Sequence, residues 1–380
     1  MKLSELQAHA SGLPPSRSLP STGSPTSTGG FEDIGEQLLA IREAALIRNS
    51  SSVRPIDPRL IELTRRGMAA GGSEQVLADG GFLIAPAWTN QILTRMSDVG
   101  ELFSRCFRAT TTSSNYIYPT YSETTRAGSL FGGVKIFLES EADQLTASKP
   151  AFERHELVTR KHTGLIYLTS EFGEDSESLG SWAPFAFAEA MNFALENQII
   201  NGTGAGQMLG VLNGPGTIMA AKEGSQAAGT VVSENIDAML SRLYPPSRKT
   251  AIWLYNSELL PSLRKLSTVV GDAGSESRLW QWASGTDEFD RLAGMPALPC
   301  EYCAAPGALG DIILVDLSRY LLVLRSLIQT AVSVHVRFLT DELAYRFTLR
   351  AAGGPIDGDV LIPANGNLTK SSAITLAART

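Results

Sequence analysis

Four groups of residues in this chain have types and spacings that could do chemistry. Gly202-Thr203-Gly204-Ala205-Gly206-Gln207 has the glycine content of a nucleotide loop. Such loops cradle phosphate because they follow a strand and open a helix, whose N-terminal amides then face the anion. Here the glycines follow a helical stretch, run into Met208-Leu209-Gly210-Val211-Leu212, and are followed by no P-loop lysine. The order is backwards, so the segment reads as a structural turn. Cys300-Glu301-Tyr302-Cys303 has the spacing of a redox pair or of half a zinc site. A zinc site needs four ligands, and no second such pair exists. A redox pair gains its low thiol pKa at a helix N-terminus after a strand, whereas Ala304-Ala305-Pro306-Gly307 reads as loop. The acidic pairs Glu139/Glu141 and Glu174/Asp175 suit acid–base work by type. They fall in a projecting loop and at a helix approach, which makes them solvated surface. His9, His155, His162 and His335 are scattered, and nothing brings one of them to a particular serine. We therefore expect no catalytic, cofactor-binding or metal-binding residues.

The elements that would have positioned such groups then have to explain the chain. Its 380 residues, 43% hydrophobic and 19% charged, suffice for a large core and about two domains. Cys106, Cys300 and Cys303 cannot form a disulfide framework, which points to a reducing compartment. No apolar run reaches the ~18–20 residues that span a bilayer. Met1-Lys2-Leu3-Ser4-Glu5 lacks the apolar core of a secretory signal, so a cytoplasmic origin and no membrane partner are expected. A net charge of −7 argues against a groove that grips nucleic-acid phosphates. It is compatible with a protein that encloses DNA without binding it specifically.

Residues 11–30 are a low-complexity tail, seventeen of twenty being Ser, Gly, Pro or Thr, and are expected to be disordered. Ile34, Leu38, Ile41 and Ala45 recur at helical spacing within Phe31–Ile47, and a second helix is expected around Pro58–Met68. The first eighty residues thus read as an extended arm with helical beads. The compact part begins at Gly80-Gly81-Phe82-Leu83-Ile84-Ala85-Pro86, and Trp88–Met96 reads as a short helix. Strand-like pieces follow at Tyr116–Tyr118, Val134–Phe137 and Glu156–Thr163. Because Leu157–Thr163 puts polar residues on both faces, this stretch reads as a projecting hairpin. Ser181–Asn201 is the strongest helix, with Phe187, Met191, Leu195 and Ile199 every four residues and Phe185 and Ala188 beside them; it stops at Asn201-Gly202. Residues 231–325 read as a separate α/β unit with strands at Ala251–Tyr255, Asp311–Val315 and Tyr320–Leu324. Val332, Val334, Val336 and Phe338, then Tyr345, Phe347 and Leu349, alternate with polar residues as an antiparallel hairpin.

Several segments, in order, resemble the major capsid family of tailed phages with the Hong Kong 97-like fold. Gly80–Pro86 is similar to that family's Gly-Gly-apolar-Pro segment, and Leu168–Ser176 to its Ser-Glu-Leu-Leu-x-Asp-Ser segment before a long helix. Asn201–Leu212 resembles its Gly-x-Gly-x-x-Gln-Pro-x-Gly signature, with Met208 where proline is usual. Gly294-Met295-Pro296, Gly310-Asp311-Ile312, Val334–Phe338 and Ala344-Tyr345-Arg346 are similar to its C-terminal half, and Phe31–Leu38 to its arm helix.

The resemblance implies an α+β fold with these parts: a tail (1–30), an N-terminal arm (31–80), and a peripheral domain starting at 81–110. An extended loop (111–164), a peripheral segment with a spine helix (165–230), an axial α/β domain (231–330) and a peripheral C-terminal hairpin (331–380) follow. It implies a non-enzymatic subunit of a virion shell, made of homo-pentamers and homo-hexamers, with a scaffolding protein, a portal and a maturation protease as further partners. Arm and loop would bury surface only against other copies. Some members weld the shell by an isopeptide bond between a loop lysine and an asparagine, helped by a glutamate. Lys135 and Lys149 lie in the loop here, but Asp341 and Thr348 stand at the other two positions, so no weld is expected. Two alternatives remain at this point: a cellular nanocompartment shell of the same fold, and a soluble α/β oxidoreductase using the glycine loop or the Cys300/Cys303 pair.

Overall fold

A computed structural model describes residues 28–49, 55–69, 82–83, 92, 94–96, 100–121, 124–126, 128–130, 132–138, 147–169, 176–224, 226–270, 275–284, 288–325, 328–337, 340 and 342–379. The expected disordered tail before residue 28 and most of the helix at Trp88–Met96 lie outside them.

Two helices open the described chain, α1 (Ile34–Asn49) and α2 (Pro58–Ala69). Proline suits the first turn of α2 because its missing amide would have had no helical acceptor there. Arg59 ties the pair together: it bonds Asp57 at 2.9 Å and Glu36 at 2.7 Å, and its guanidinium lies 4.2 Å from the centre of the Phe31 ring. Phe31, Ile34, Leu38, Ile41, Leu60 and Leu63 are all buried in the main core. This corrects the expectation that the arm buries surface only against other copies, since its helical spacing fits the chain's own sheet.

Next come β1 (Phe82–Leu83), α3 (Glu101–Arg105), β2 (Phe107–Thr111), β3 (Asn115–Tyr121), β4 (Phe152–Val158), β5 (Arg160–Thr169) and α4 (Ser176–Asn201). The helix α4 is 26 residues long, about 39 Å at 1.5 Å per residue. It starts five residues earlier than its apolar stripe predicts. That stripe, with Phe187, Ala188, Met191, Leu195 and Ile199, is buried as expected, while Phe185 is exposed.

Beyond it lie β6 (Ile218–Ala220), α5 (Ser233–Arg242), β7 (Ile252–Tyr255), β8 (Ser267–Val270), β9 (Ser275–Arg278), β10 (Trp280–Gln281), β11 (Arg291–Leu292) and β12 (Met295–Pro299). The last are β13 (Ile312–Val315), β14 (Tyr320–Arg325), β15 (Gln329–Arg337), β16 (Glu342–Pro355) and β17 (Ala373–Leu376). They make two main sheets. A six-stranded sheet runs β1-β15-β16-β14-β2, with β5 on the other edge of β16; a seven-stranded sheet runs β10-β11-β12-β7-β13-β17-β6. The hairpin β15/β16 forms as predicted, but the alternation fails at Val336, which is 60% exposed beyond a register shift between Ser333 and Arg337.

Three expectations are corrected. Tyr320–Arg325 lies in the six-stranded sheet, not in the 231–330 unit, because it pairs with Ala351–Pro355 and with β2. The seven-stranded sheet takes β17 and β6, so the C-terminal segment returns to it. The projecting hairpin ends at Val158, where β3 and β4 stop pairing. From Arg160 onward the chain is a body strand along β16. Its polar residues are tolerated because one face is open and His162, on the other, is bonded to Gln198 at 3.1 Å. Val134–Phe137 is not a strand; only Val134 bridges, to Leu130.

One face of the six-stranded sheet carries Tyr345, Phe347, Leu349, Ala351, Leu322 and Leu324 and packs on α1 and α4. Phe187 meets Phe347 with ring centres 4.6 Å apart. The root of the β3/β4 hairpin folds over part of the opposite face, where Tyr116, Tyr118 and Leu157 pack on Leu321, Val323 and Ala352.

Candidate assembly surfaces

The glycine loop after α4 is closed on itself. Gly202 donates to the Gln198 carbonyl at 2.9 Å, Gly204 to Met208 at 3.1 Å, Gly210 to Gly202 at 2.7 Å, and Leu209 to Gly353 at 3.0 Å. A side chain at Gly202 would meet the Met208 carbonyl at 2.2 Å, and Gly204 and Gly206 hold φ of +78°. Its amides serve backbone packing, as a structural turn requires, and do not converge on an anion. Cys300 and Cys303 lie buried beside each other in a turn after β12, where the Cys303 carbonyl accepts from the Asn256 side chain at 3.2 Å. Among the described residues no three His, Cys, Asp or Glu side chains come together as metal ligands. His155 faces Glu153 at 3.7 Å and His162 meets Gln198 at 3.1 Å. Glu139, Glu141, Glu174 and Asp175 lie outside the described residues.

Three buried polar nodes escaped sequence reading. Glu196, near the C-terminal end of α4, accepts the Leu102 and Phe103 amides at 2.9 and 3.0 Å and so caps α3. Burial raises its carboxyl above the ordinary range, against the pull of those amides. Asp311 and Arg379 form a wholly buried ion pair that locks the chain's last described residue beside β13, and Asp311 also accepts the Gly307 amide at 2.8 Å. Arg319 grips Asp357 with its Nε, at 2.7 Å from one carboxylate oxygen. The Glu196, Asp311–Arg379 and Arg319–Asp357 contacts join residues 38 to 94 apart, which no local spacing signals.

The loop between β3 and β4 behaves differently. Ile136 is 96% exposed, Leu138 is fully exposed and Phe152 is 67% exposed, with Ile117, Leu130 and Phe137 partly open as well. Exposed apolar side chains that recur along one segment are the kind of patch that marks interaction sites. The loop is held at its base by the body: Arg126 donates to the Ile362 carbonyl at 3.0 Å and Ile362 to that of Thr124 at 2.8 Å. Lys135 and Lys149 are both exposed in it. Asp341 lies outside the described residues, and Thr348 is buried between Gln329 of β15 and Thr163 of β5. A threonine there offers no carboxylate. No helix among the described residues is long and apolar enough to cross a membrane.

The model of the phage capsid family matches residues 80–366. In structure, the chain is similar to the capsid protein of a native GTA particle (16% identity, TM-score 0.52, covering 75% of this chain and 91% of that one). It is equally similar to that of an empty GTA particle (14% identity, TM-score 0.52, 74% and 90% covered). These likenesses show the α+β fold of Hong Kong 97-like capsid proteins. A search of curated proteins by sequence finds no match.

Proposed function

Because this chain belongs to the phage capsid family, and is thus a capsid shell protein of a virion, we propose that it builds the pentamers and hexamers of an icosahedral head enclosing double-stranded DNA. The observation that carries this reading is the loop between β3 and β4, whose Ile136 and Leu138 bury nothing within one chain and have a use only against other copies.

Within that reading the parts take these roles. Residues 111–158 are the extended loop that overlaps a neighbour. The six-stranded sheet with α4 is the peripheral domain, into which α1 packs as part of the body. The seven-stranded sheet, drawing in β6 and β17, is the axial domain that meets its copies at the five- and six-fold centres. Assembly takes place in the host cytoplasm, with a scaffolding protein, a portal and a maturation protease as further partners. The acidic chain encloses DNA without specific binding, and with Thr348 in place of a glutamate the shell carries no isopeptide weld.

Negative-stain electron microscopy of the expressed protein tests this. Closed particles with five- and six-fold clusters are expected, and boiled, reduced particles should run as single chains on a denaturing gel. Monomers or small oligomers under every condition would sink the reading, and a covalent ladder would sink the absence of a weld.

A further inference from the structure

Neither Cys300 nor Cys303 has a use in the shell reading, yet the fold brings the two thiols together. They stand first and fourth in the turn after β12, which the Cys303 amide closes by donating to the Cys300 carbonyl at 3.4 Å. Such a turn holds its first and fourth Cα atoms within about 7 Å, which is also about the limit across which two cysteines can be bridged. The side chains complete the approach. The Cys303 thiol donates to the Cys300 sulfur, which also accepts from the Tyr302 and Cys303 amides.

Neighbours on both sides hold this turn in place. The Cys300 amide donates to the Tyr255 carbonyl at 2.9 Å, and the Ala304 amide to that of Gly310 at 3.1 Å. The Asn256 side chain donates to the Cys303 and Ala304 carbonyls at 3.2 and 3.1 Å. From α4, the Asn201 side chain donates to the Tyr302 carbonyl at 2.9 Å, and Phe193 meets the Tyr302 ring edge-on with centres 5.2 Å apart. The turn is therefore a joint between the seven-stranded sheet and α4. Its outer side is open, since Glu301 and Phe193 are both exposed. The cysteines themselves keep 6% and 5% of their surface in water, which suits a small oxidant over a bulky one.

The two thiols are also unlike. The donors on its sulfur hold Cys300 below the ordinary thiol range, against the effect of burial. Sharing its proton with that sulfur pushes Cys303 up, and burial adds to this. Cys106 is raised by burial and donates to the Leu102 carbonyl at 3.2 Å.

We propose that Cys300 and Cys303 are a peroxide-reactive dithiol that closes into an intramolecular disulfide and pins the joint between the seven-stranded sheet and α4. The Cys300 thiolate attacks one peroxide oxygen. The O–O bond breaks, and the leaving hydroxide takes up the proton the Cys300 thiol gave up, leaving water and a Cys300 sulfenic acid. The Cys303 sulfur then attacks the Cys300 sulfur: the S–S bond forms, the S–O bond breaks, and hydroxide leaves with the Cys303 proton as a second water. Two electrons pass from the two thiols to the peroxide. In a reducing compartment the pair stays open, and outside one it closes.

Treating the reduced full-length chain with hydrogen peroxide tests this. After an acid quench, alkylation in denaturant should count one free thiol in place of three. The intact mass should fall by about 2 Da, and peptide mapping should join Cys300 to Cys303 with Cys106 free. Dithiothreitol should restore all three thiols. Closure should raise the melting temperature by about 2 °C. Cys303→Ser should stop at a Cys300 sulfenic acid that dimedone traps, whereas Cys300→Ser should leave Cys303 unlabelled. Three thiols after treatment, a bond between copies, or labelling of Cys303 in preference to Cys300 would overturn the reactive pair. A melting temperature that falls on closure would overturn the pinning of the joint. The thiol count in the wild-type chain decides the matter whether or not either variant folds, and whether or not the chain builds particles.

Discussion

On the α4 side of the six-stranded sheet, Phe187, Leu195, Phe347 and Leu349 are almost wholly withdrawn from water; between β3 and β4, Ile136 and Leu138 are almost wholly in it. Both regions are apolar in sequence, and the difference lies in what faces them. The sheet face has α1 and α4 across it. Among its described residues the loop is tied at Thr124–Arg126 to Ile362. Withdrawing a large apolar side chain from water contributes about 1.5–3 kcal/mol, so the first region holds the subunit together. The second contributes nothing to an isolated subunit and exposes it to aggregation. On the proposed function, stability and assembly are carried by different residues, and substitutions should separate them.

The largest effect belongs to the closed region. Phe187→Ala should cost about 3–5 kcal/mol in denaturant unfolding and take assembly with it, because the sheet face it fills is the body of the subunit. A loss below about 1 kcal/mol would mean that this face is not the stabilising core. Arg379→Ala comes next, at about 3 kcal/mol, since it leaves Asp311 buried and unpaired. The double variant Asp311→Ala/Arg379→Ala should lose less than the two singles summed, and full additivity would show that the pair is not coupled. On the open side, Phe152→Ser should change stability by no more than about 0.5 kcal/mol yet slow assembly several-fold by light scattering. An unchanged assembly rate would remove Phe152 from the contact surface.

The smallest effect is pH-dependent. Burial raises the Glu196 carboxyl, so its ionised form is disfavoured in the folded chain. Stability is then lost as pH rises from the ordinary glutamate range, about 4.3, through the raised value in the folded state. Glu196→Gln, whose amide oxygen can still cap α3, should therefore be more stable than wild type near neutral pH. The gain should vanish in acid, where both side chains are neutral. A gain of equal size at both ends of the pH range would assign it to packing.

The same contrast separates what the sequence disclosed from what it did not. Local periodicity revealed the buried stripe of α4 and the alternation of β15 with β16, since each is written within a dozen residues. The glycine stop after α4 was legible for the same reason. Long-range pairing was not. Tyr320–Arg325 is an apolar run that predicts a buried strand but not which sheet takes it, and β17 enters the seven-stranded sheet opposite β13, some sixty residues earlier in the chain. Arg160–Thr163 misled because polarity on both faces has two causes: projection into solvent, or one open face with a hydrogen-bonded His162 on the other. The arm helix misled because an amphipathic stripe fits its own chain as well as a neighbour's. The projecting loop could be read, but its tie at Thr124–Arg126 to Ile362 could not, because it joins segments far apart in the chain.

The separation of the two regions is tested most directly by sedimentation velocity on wild type and on Ile136→Asp/Leu138→Asp, with thermal melting of both. Wild type should run as megadalton shells, and the variant as unassembled subunits that melt at the wild-type temperature. Shells from the variant, or a variant that has also lost its melting transition, would contradict the claim that the loop serves assembly and not the fold.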